Sequence, residues 1–185
     1  MGFLTDEEKR SLLKLSRDCI EARLNNMAAP GFEPASRTLG ADGAAFVTLH
    51  CEGDLRGCIG YTEAFQPLYK TVQECAVAAA FADPRFHPLQ PQEYPSITIE
   101  ISVLTPMVRA NGPEDVVVGK HGIMIEARNR KGLLLPQVAT EQKWERETFL
   151  THTCYKAGLP GHAWQDEATK IYLFEAEVFS EADLA

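Results

Sequence analysis

The patterns of a β-hairpin, a helix, a long loop and a strand follow one another twice along this chain, at about residues 44–104 and 122–179. Each copy opens with two apolar-alternating runs around a short turn, which is typical of a hairpin. Residues 97–104 and 171–179 end the copies with the alternation of a half-buried strand. The repeated order predicts an α+β fold with largely antiparallel sheets and helices on one face of each.

Three helices are expected from the apolar spacing and the end signals. Helical patterns cover about residues 6–28, 67–82 and 141–157. Thr5 and Glu8 form a capping box before the first helix. Pro67 suits the first turn of the second helix, and Gly158 is a C-cap signal for the third. The hairpin of the second copy is expected from runs 122–127 and 132–138.

The length of 185 residues predicts a single domain over 1–185, with room for two lobes at about 1–110 and 111–185. Apolar residues make up 45% and charged residues 24% of the chain. These proportions are those of an ordinary globular protein that folds without a disulfide framework.

Negative charge is spread over the whole chain, whose formal net charge is −8. Residues 1–92 carry 9 basic and 12 acidic side chains, and residues 93–185 carry 9 and 14. Binding to a phosphate backbone relies on clustered Lys and Arg. Nucleic acid is therefore excluded as the primary ligand.

A cytoplasmic protein without a membrane segment is expected. The first ten residues, MGFLTDEEKR, hold no apolar signal core, and no apolar run approaches the length of a membrane span. The five cysteines form no CxxC pair, which argues against a structural zinc site and favours reduced thiols.

The segment Leu55–Gly60 is the most unusual in the chain, because it places an Arg and a Cys between two glycines. Strict alternation puts Leu55 and Ile59 on one face of the strand, and Arg56 and Cys58 on the other. The register of the preceding strand would add Thr48 and His50 to the Arg56 face. Glycines inside a strand often mark the close approach of another group.

Two interpretations of Arg56 and Cys58 remain open at this point. An Arg beside a Cys lowers the thiol pKa, and its guanidinium can bind a carboxylate or phosphate through two hydrogen bonds. Alternatively, Cys58 is a small packed residue and Arg56 belongs to a structural ion pair.

Other segments supply weaker candidates. Asp83 and Arg85 are either site residues on a loop or a helix terminator with its ionic partner. His121, between a loop and a strand, could serve as a base or a ligand. Gln137 could donate a buried hydrogen bond, and Pro136 before it implies a strand edge or bulge.

Motifs spread over about residues 5–180 resemble the AMMECR-type domain family, which includes proteins called AmmeMemoRadiSam system protein A. These motifs are LRGCIG at 55–60, AFADPRF at 80–86, ISVLTP at 101–106, GKHGI at 119–123, LLPQVATEQKW at 134–144 and CYKAGL at 154–159. The resemblance implies a two-lobed α+β fold with a cleft between the lobes. It implies that the cleft is lined by the motif residues Arg56, Cys58, Asp83, Arg85, His121 and Gln137.

The resemblance also implies companions, a Memo-like protein and a radical-SAM protein, but no established reaction and no known cofactor. We therefore expect a module that binds a small anionic ligand or a partner segment. The alternative is an enzyme with Cys58 as nucleophile, Arg56 lowering its pKa or holding an anionic substrate, and His121 as general acid or base. A weaker third hypothesis is a metal bound by Cys58, His121 and a carboxylate.

Overall fold

A computed structural model describes residues 3–184 of the chain, which divide into two compact units. The first unit comprises residues 3–104 together with 177–184, and the second comprises residues 105–176. Each unit holds one four-stranded sheet. The α+β class and the antiparallel hairpins expected from the sequence are confirmed.

The first unit contains three helices and four strands. The helices are α1 (Asp6–Leu24), α2 (Arg37–Gly40) and α3 (Leu68–Phe81). The strands are β1 (Ala44–Cys51), β2 (Asp54–Tyr61), β3 (Ile97–Leu104) and, after the second unit, β8 (Ala176–Ser180). The strand order is β2-β1-β3-β8, and β1 is antiparallel to both β2 and β3.

The core of this unit lies between the sheet and the two long helices. Alternate residues of β1 and β3 pack against α1 and α3, because residues two apart on a strand share a face. Fully buried members of this core include Leu12, Ile20, Val47, Leu49, Val72, Ile99 and Ile101.

Helix α1 begins at the predicted capping box, in which the Thr5 hydroxyl accepts from the Glu8 N–H and the Glu8 carboxylate accepts from the Thr5 N–H. The helix ends at Leu24 rather than near residue 28. Asn26 has a φ of 55°, a left-handed conformation that ends a helix.

The second unit contains the remaining elements. Its strands are β4 (Val108–Arg109), β5 (Gly122–Ala127), β6 (Arg130–Leu134) and β7 (Lys170–Phe174). Its helices are α4 (Pro136–Glu141) and α5 (Arg146–Lys156). The strand order β6-β5-β7 repeats the order β2-β1-β3 of the first unit, which confirms the duplicated hairpin–helix–strand architecture. The fourth strands differ, since β4 precedes its hairpin along the chain and β8 follows all the other strands.

The helix predicted over 141–157 is α5, which begins only at Arg146. Residues 136–138, predicted as the end of a strand, belong to the separate helix α4. Lys143 has a φ of 54°, and this left-handed residue separates α4 from α5. Pro136 is the first residue of α4, so the strand edge or bulge expected at Pro136 is wrong. Proline is favoured there because the first helical turn needs no amide donor from it.

The strand predicted over 171–179 is two strands in the structure. They are separated at Glu175 and belong to different sheets. Strand β7 pairs with β5 and β4, whereas β8 lies beside β3. The C-terminal segment therefore belongs with the first unit. A single lobe boundary near residue 110 does not account for this strand, which returns to the first sheet. No Gly or Pro marks the break in the alternation.

No helix within residues 3–184 is both long enough and apolar enough to cross a bilayer. All five cysteines are free thiols in the structure.

Candidate functional site

Arg56 occupies a β-bulge, which breaks the strict alternation expected of β2. Leu49 pairs with Gly57 and His50 pairs with Leu55, so Arg56 is the extra residue of its strand. The shift places Leu55 opposite His50, and the expectation that Leu55 shares the apolar face of Ile59 is wrong. A bulge redirects side chains at a sheet edge.

The Arg56 side chain is bound by the loop that follows α3. Its Nε and Nη2 donate to the two carboxylate oxygens of Glu93, at 2.8 and 3.1 Å, and Nη2 also donates to the His87 carbonyl at 2.8 Å. The ion pair lowers the pKa of Glu93 and raises that of Arg56. The Arg56 side chain is only 12% exposed, and its Nη1 has no acceptor among residues 3–184.

The turn after α3 is built by Asp83 itself. Pro84 occupies the second position of a β-turn that the Phe86 N–H closes on the Asp83 carbonyl. The Asp83 carboxylate also accepts from the Arg85 N–H at 3.1 Å, as an Asx-turn does. This local chemistry holds Arg85 beside Asp83 and presents both to the neighbouring strand.

Asp83 and Arg85 together cover the outer edge of β2 at Cys58. Strand β2 is the edge strand of its sheet, so the outward N–H and C=O of Cys58 have no neighbouring strand. The N–H donates to Asp83 Oδ2 at 2.9 Å, and the C=O accepts from Arg85 Nη2 at 3.5 Å. An unpaired strand edge can pair with another chain. Here the two side chains form hydrogen bonds with the edge groups of Cys58 and cover them.

The Asp83 side chain is 2% exposed and is held in its charged form by these donors. Arg85 Nε and Nη2 reach its two oxygens at 3.0 and 2.7 Å. Its hydrogen bonds to Arg85, joined by the one from the Cys58 N–H, hold the pKa of Asp83 well below its usual range.

The thiol of Cys58 is less acidic than an ordinary cysteine, not more. Burial raises its pKa, and this outweighs the hydrogen bond from the Thr48 hydroxyl, at 3.2 Å to Sγ, and the charge of Arg85. The bulge turns Arg56 to Glu93, and the cation that acts on the pKa of Cys58 is Arg85. At neutral pH, Cys58 is therefore a protonated thiol.

Gly57 allows the close approach that its position in the strand predicts, and the approaching group is helix α3. A Cβ built on Gly57 would lie 2.1 Å from the Ala79 carbonyl oxygen. The second unit repeats this contact, since a Cβ on Gly132 would lie 2.3 Å from the Ala157 nitrogen. Packing against α3 therefore explains Gly57, the first glycine of LRGCIG.

A surface pocket of about 560 Å³ lies beside the Arg56 bulge. It is lined by Arg56, Arg85, Phe86, His87, Pro88, Gln90 and Glu93, all of which belong to the first unit. The Phe86 ring contacts both cations, with its centroid 5.7 Å from the Arg56 guanidinium carbon and 5.4 Å from that of Arg85. The loop is also tied to α3, where the Leu89 N–H donates to the Ala80 carbonyl.

His121 and Gln137 lie in the second unit, whereas Arg56, Cys58, Asp83 and Arg85 lie together in the first. The His121 Nδ1 accepts from the Val117 N–H at 3.2 Å, within the turn that precedes β5. Gln137 is half-buried in the first turn of α4. Joint action of His121 and Cys58 stays a prediction.

In the part of the chain that the structure describes, no group of three or more His, Cys, Asp or Glu side chains could hold a metal ion. The hypothesis of a metal bound by Cys58, His121 and a carboxylate gains no support from this arrangement.

Sequence reasoning does not find Glu93, and it gives Phe86 no role although Phe86 lies in the candidate segment 83–88. The Pro-rich residues that follow are expected only as a loop. One signal was available: an acidic residue within a loop beside a motif arginine is a candidate ion-pair partner.

A family model described as AMMECR1 matches residues 13–179 of this chain. A protein from Methanothermobacter thermautotrophicus is 42% identical over 187 residues, covering 96% of this chain and 96% of that protein. Protein MJ0810 from Methanocaldococcus jannaschii is 40% identical, covering 99% of this chain and 94% of that protein.

A solved structure matches as well. The crystal structure of uncharacterized protein PH0010 from Pyrococcus horikoshii has a TM-score of 0.91 and 38% identity, covering 96% of this chain and 93% of that chain. These matches establish a family and a fold but name no reaction.

Proposed function

The chain belongs to the AMMECR1 family, and from that premise we propose that it binds a small anionic ligand in the pocket beside Arg56, Arg85 and Phe86. The observation that carries the proposal is the pair of guanidinium groups on this pocket, because Arg56 Nη1 has no acceptor among residues 3–184 and the Arg85 side chain is 54% exposed. Leaving a buried charged donor unpaired is costly, so an acceptor supplied by a ligand would be stabilising.

The remaining hydrogen-bonding capacity of the pocket favours an acceptor. The carboxylates of Asp83 and Glu93 are already bonded to the two arginines and to main-chain N–H groups. Arg85 uses Nε and Nη2 for its bonds, and its side chain is 54% exposed. A planar guanidinium with a free edge suits a carboxylate or a phosphate.

The test is a titration of the protein with inorganic phosphate, acetate and citrate, followed by calorimetry and by the shift in Tm. We expect one of these anions to bind, and Arg85→Gln to weaken its affinity by about tenfold or more, the loss expected for a charge-assisted hydrogen bond. Arg109→Gln, at an exposed arginine of the second unit, is the matched control and should bind like the wild type.

Two results would overturn this proposal. One is that none of the three anions binds. The other is that Arg85→Gln, shown by circular dichroism to be folded, binds as tightly as the wild type.

The enzyme alternative uses Cys58 as nucleophile with Arg56 and His121 in support. Fewer observations support the enzyme than the binding module, because the Cys58 pKa is raised and the Arg56 guanidinium is paired with Glu93. Alkylation of Cys58 distinguishes the two functions, because an activated nucleophile would react quickly at neutral pH.

We also propose that the protein works with a Memo-like protein and a radical-SAM protein. The resemblance of its motifs to the AMMECR-type family supports this proposal. A tagged copy purified from its native host should bring down one of these two proteins, and recovery of neither would contradict the proposal.

A further inference from the structure

We propose that the acid bound in this pocket is carried on a planar ring, so that the ligand class is a small aromatic or heteroaromatic carboxylate or phosphate ester. This inference rests on the proposed function, because it describes the body of a ligand whose charged group is the anion. It goes further by assigning a role to Phe86.

Phe86 forms a rigid wall of the pocket. Its backbone is held in the β-turn closed on Asp83, and its ring lies within cation–π distance of both guanidinium groups, at 5.7 and 5.4 Å. The ring is half-buried and leaves part of its surface on the pocket. The position of this aromatic surface is therefore set before a ligand arrives.

The neighbouring wall continues this apolar surface. Pro88 and His87 line the same pocket and are exposed, so a ligand ring in the pocket can contact them as well as Phe86. A planar ring can stack on an aromatic ring in an offset arrangement, whereas a saturated ring of the same size cannot use its π-face. An acid without a ring would leave this surface in water.

The charge and size of the pocket agree with such a ligand. The guanidinium groups of Arg56 and Arg85 lie over the Phe86 ring. One molecule can therefore place its acid group on a guanidinium and its ring on the part of Phe86 that lines the pocket. The volume of about 560 Å³ lies within the range of small-molecule sites.

The test compares ligands that differ in one property at a time. Phenyl phosphate, cyclohexyl phosphate and inorganic phosphate are titrated into the full chain, and benzoate and cyclohexanecarboxylate repeat the comparison for carboxylates. We expect each aromatic acid to bind about fivefold more tightly than its saturated counterpart, the size of a typical stacking contribution. This ligand series needs no variant, so it does not depend on any variant folding.

Substitutions then assign the preference to its residue. Phe86→Leu should remove the aromatic preference, because leucine keeps much of the apolar volume but offers no π-face. Phe65→Leu, at an aromatic residue that is 59% exposed and outside the pocket, should keep the preference.

Equal affinity for the planar and saturated acids, or an unchanged preference in Phe86→Leu, would overturn this inference and leave the anion site standing. Failure of every acid to bind would overturn the proposed function together with it.

Discussion

The buried carboxylate of Asp83 accepts the main-chain N–H of Cys58 at 2.9 Å, although 25 positions separate the two residues. Arg85 adds a hydrogen bond to the Cys58 carbonyl, so one ion pair occupies both outward groups of an edge residue. The motifs LRGCIG and DPRF are thus two halves of one structure.

Replacing Asp83 with alanine should lower the free energy of unfolding by about 2–3 kcal/mol, because the Cys58 N–H loses a charged acceptor and Arg85 loses its partner. Asp83→Asn keeps an acceptor and should cost less, about 1–2 kcal/mol. Urea unfolding followed by circular dichroism measures both. Asp54→Asn is the control, at an exposed carboxylate of strand β2, which also contains Cys58. It should change the free energy of unfolding by less than about 0.5 kcal/mol. An Asp83→Ala protein as stable as the wild type would contradict the edge-covering role.

The stabilising effect of Asp83 should decline in acid. Because its native pKa is depressed, its contribution is complete above the unfolded carboxyl pKa, near 3.9, and is lost as pH falls towards the lower native pKa. The difference in unfolding free energy between wild type and Asp83→Asn should be about 1 kcal/mol smaller at pH 3 than at pH 7. Urea unfolding at the two pH values measures it, and an equal difference at both would show that the native pKa is not depressed.

Cys58 should react slowly with an alkylating reagent at neutral pH. Burial raises its pKa, so the thiolate fraction at pH 7 lies below that of an ordinary cysteine, whose pKa is about 8.5. Alkylation rates of the five cysteines against pH, resolved by peptide mass spectrometry, test this. Cys51, the other half-buried cysteine, is the internal comparison. Fast and selective reaction of Cys58 at pH 6–7 would favour the enzyme alternative over the binding module.

Gly57→Ala should destabilise the first unit by about 3 kcal/mol, because the new methyl group meets the Ala79 carbonyl of α3 and backbone must move. Gly31→Ala is the matched control: a Cβ there meets nothing within 4 Å, so its effect should be within about 0.5 kcal/mol. Thermal unfolding of both variants makes the comparison. If the two variants proved equally stable, packing against α3 would not explain Gly57.

Several elements could be predicted from local sequence alone. The capping box of Thr5 and Glu8 involves residues three apart, and it forms as predicted. The alternation over 97–104 predicts strand β3 to the residue. Such signals succeed because period and capping depend on neighbours along the chain.

The same kind of signal failed at Glu175, where one alternating run serves two sheets. Periodicity reports which face of a strand is buried, and it does not say which strand lies beside it. Left-handed backbone at Lys143 likewise delays the start of α5 to Arg146, although the helical pattern over 141–157 contains no glycine or proline.

For the candidate site, the sequence alone determined which residue types were unusual: an arginine and a cysteine between glycines, and an Asp–Pro–Arg turn. It left open whether Arg56 serves the Cys58 thiol or a carboxylate. Tertiary structure decided this through the bulge that turns Arg56 to Glu93, 37 positions away, and through the edge position of β2 that joins Cys58 to Asp83. The physical reason is that an ion pair or an edge hydrogen bond forms only where the folded chain brings two segments within about 3 Å of each other. A local pattern of residues does not determine which distant segments will be that close.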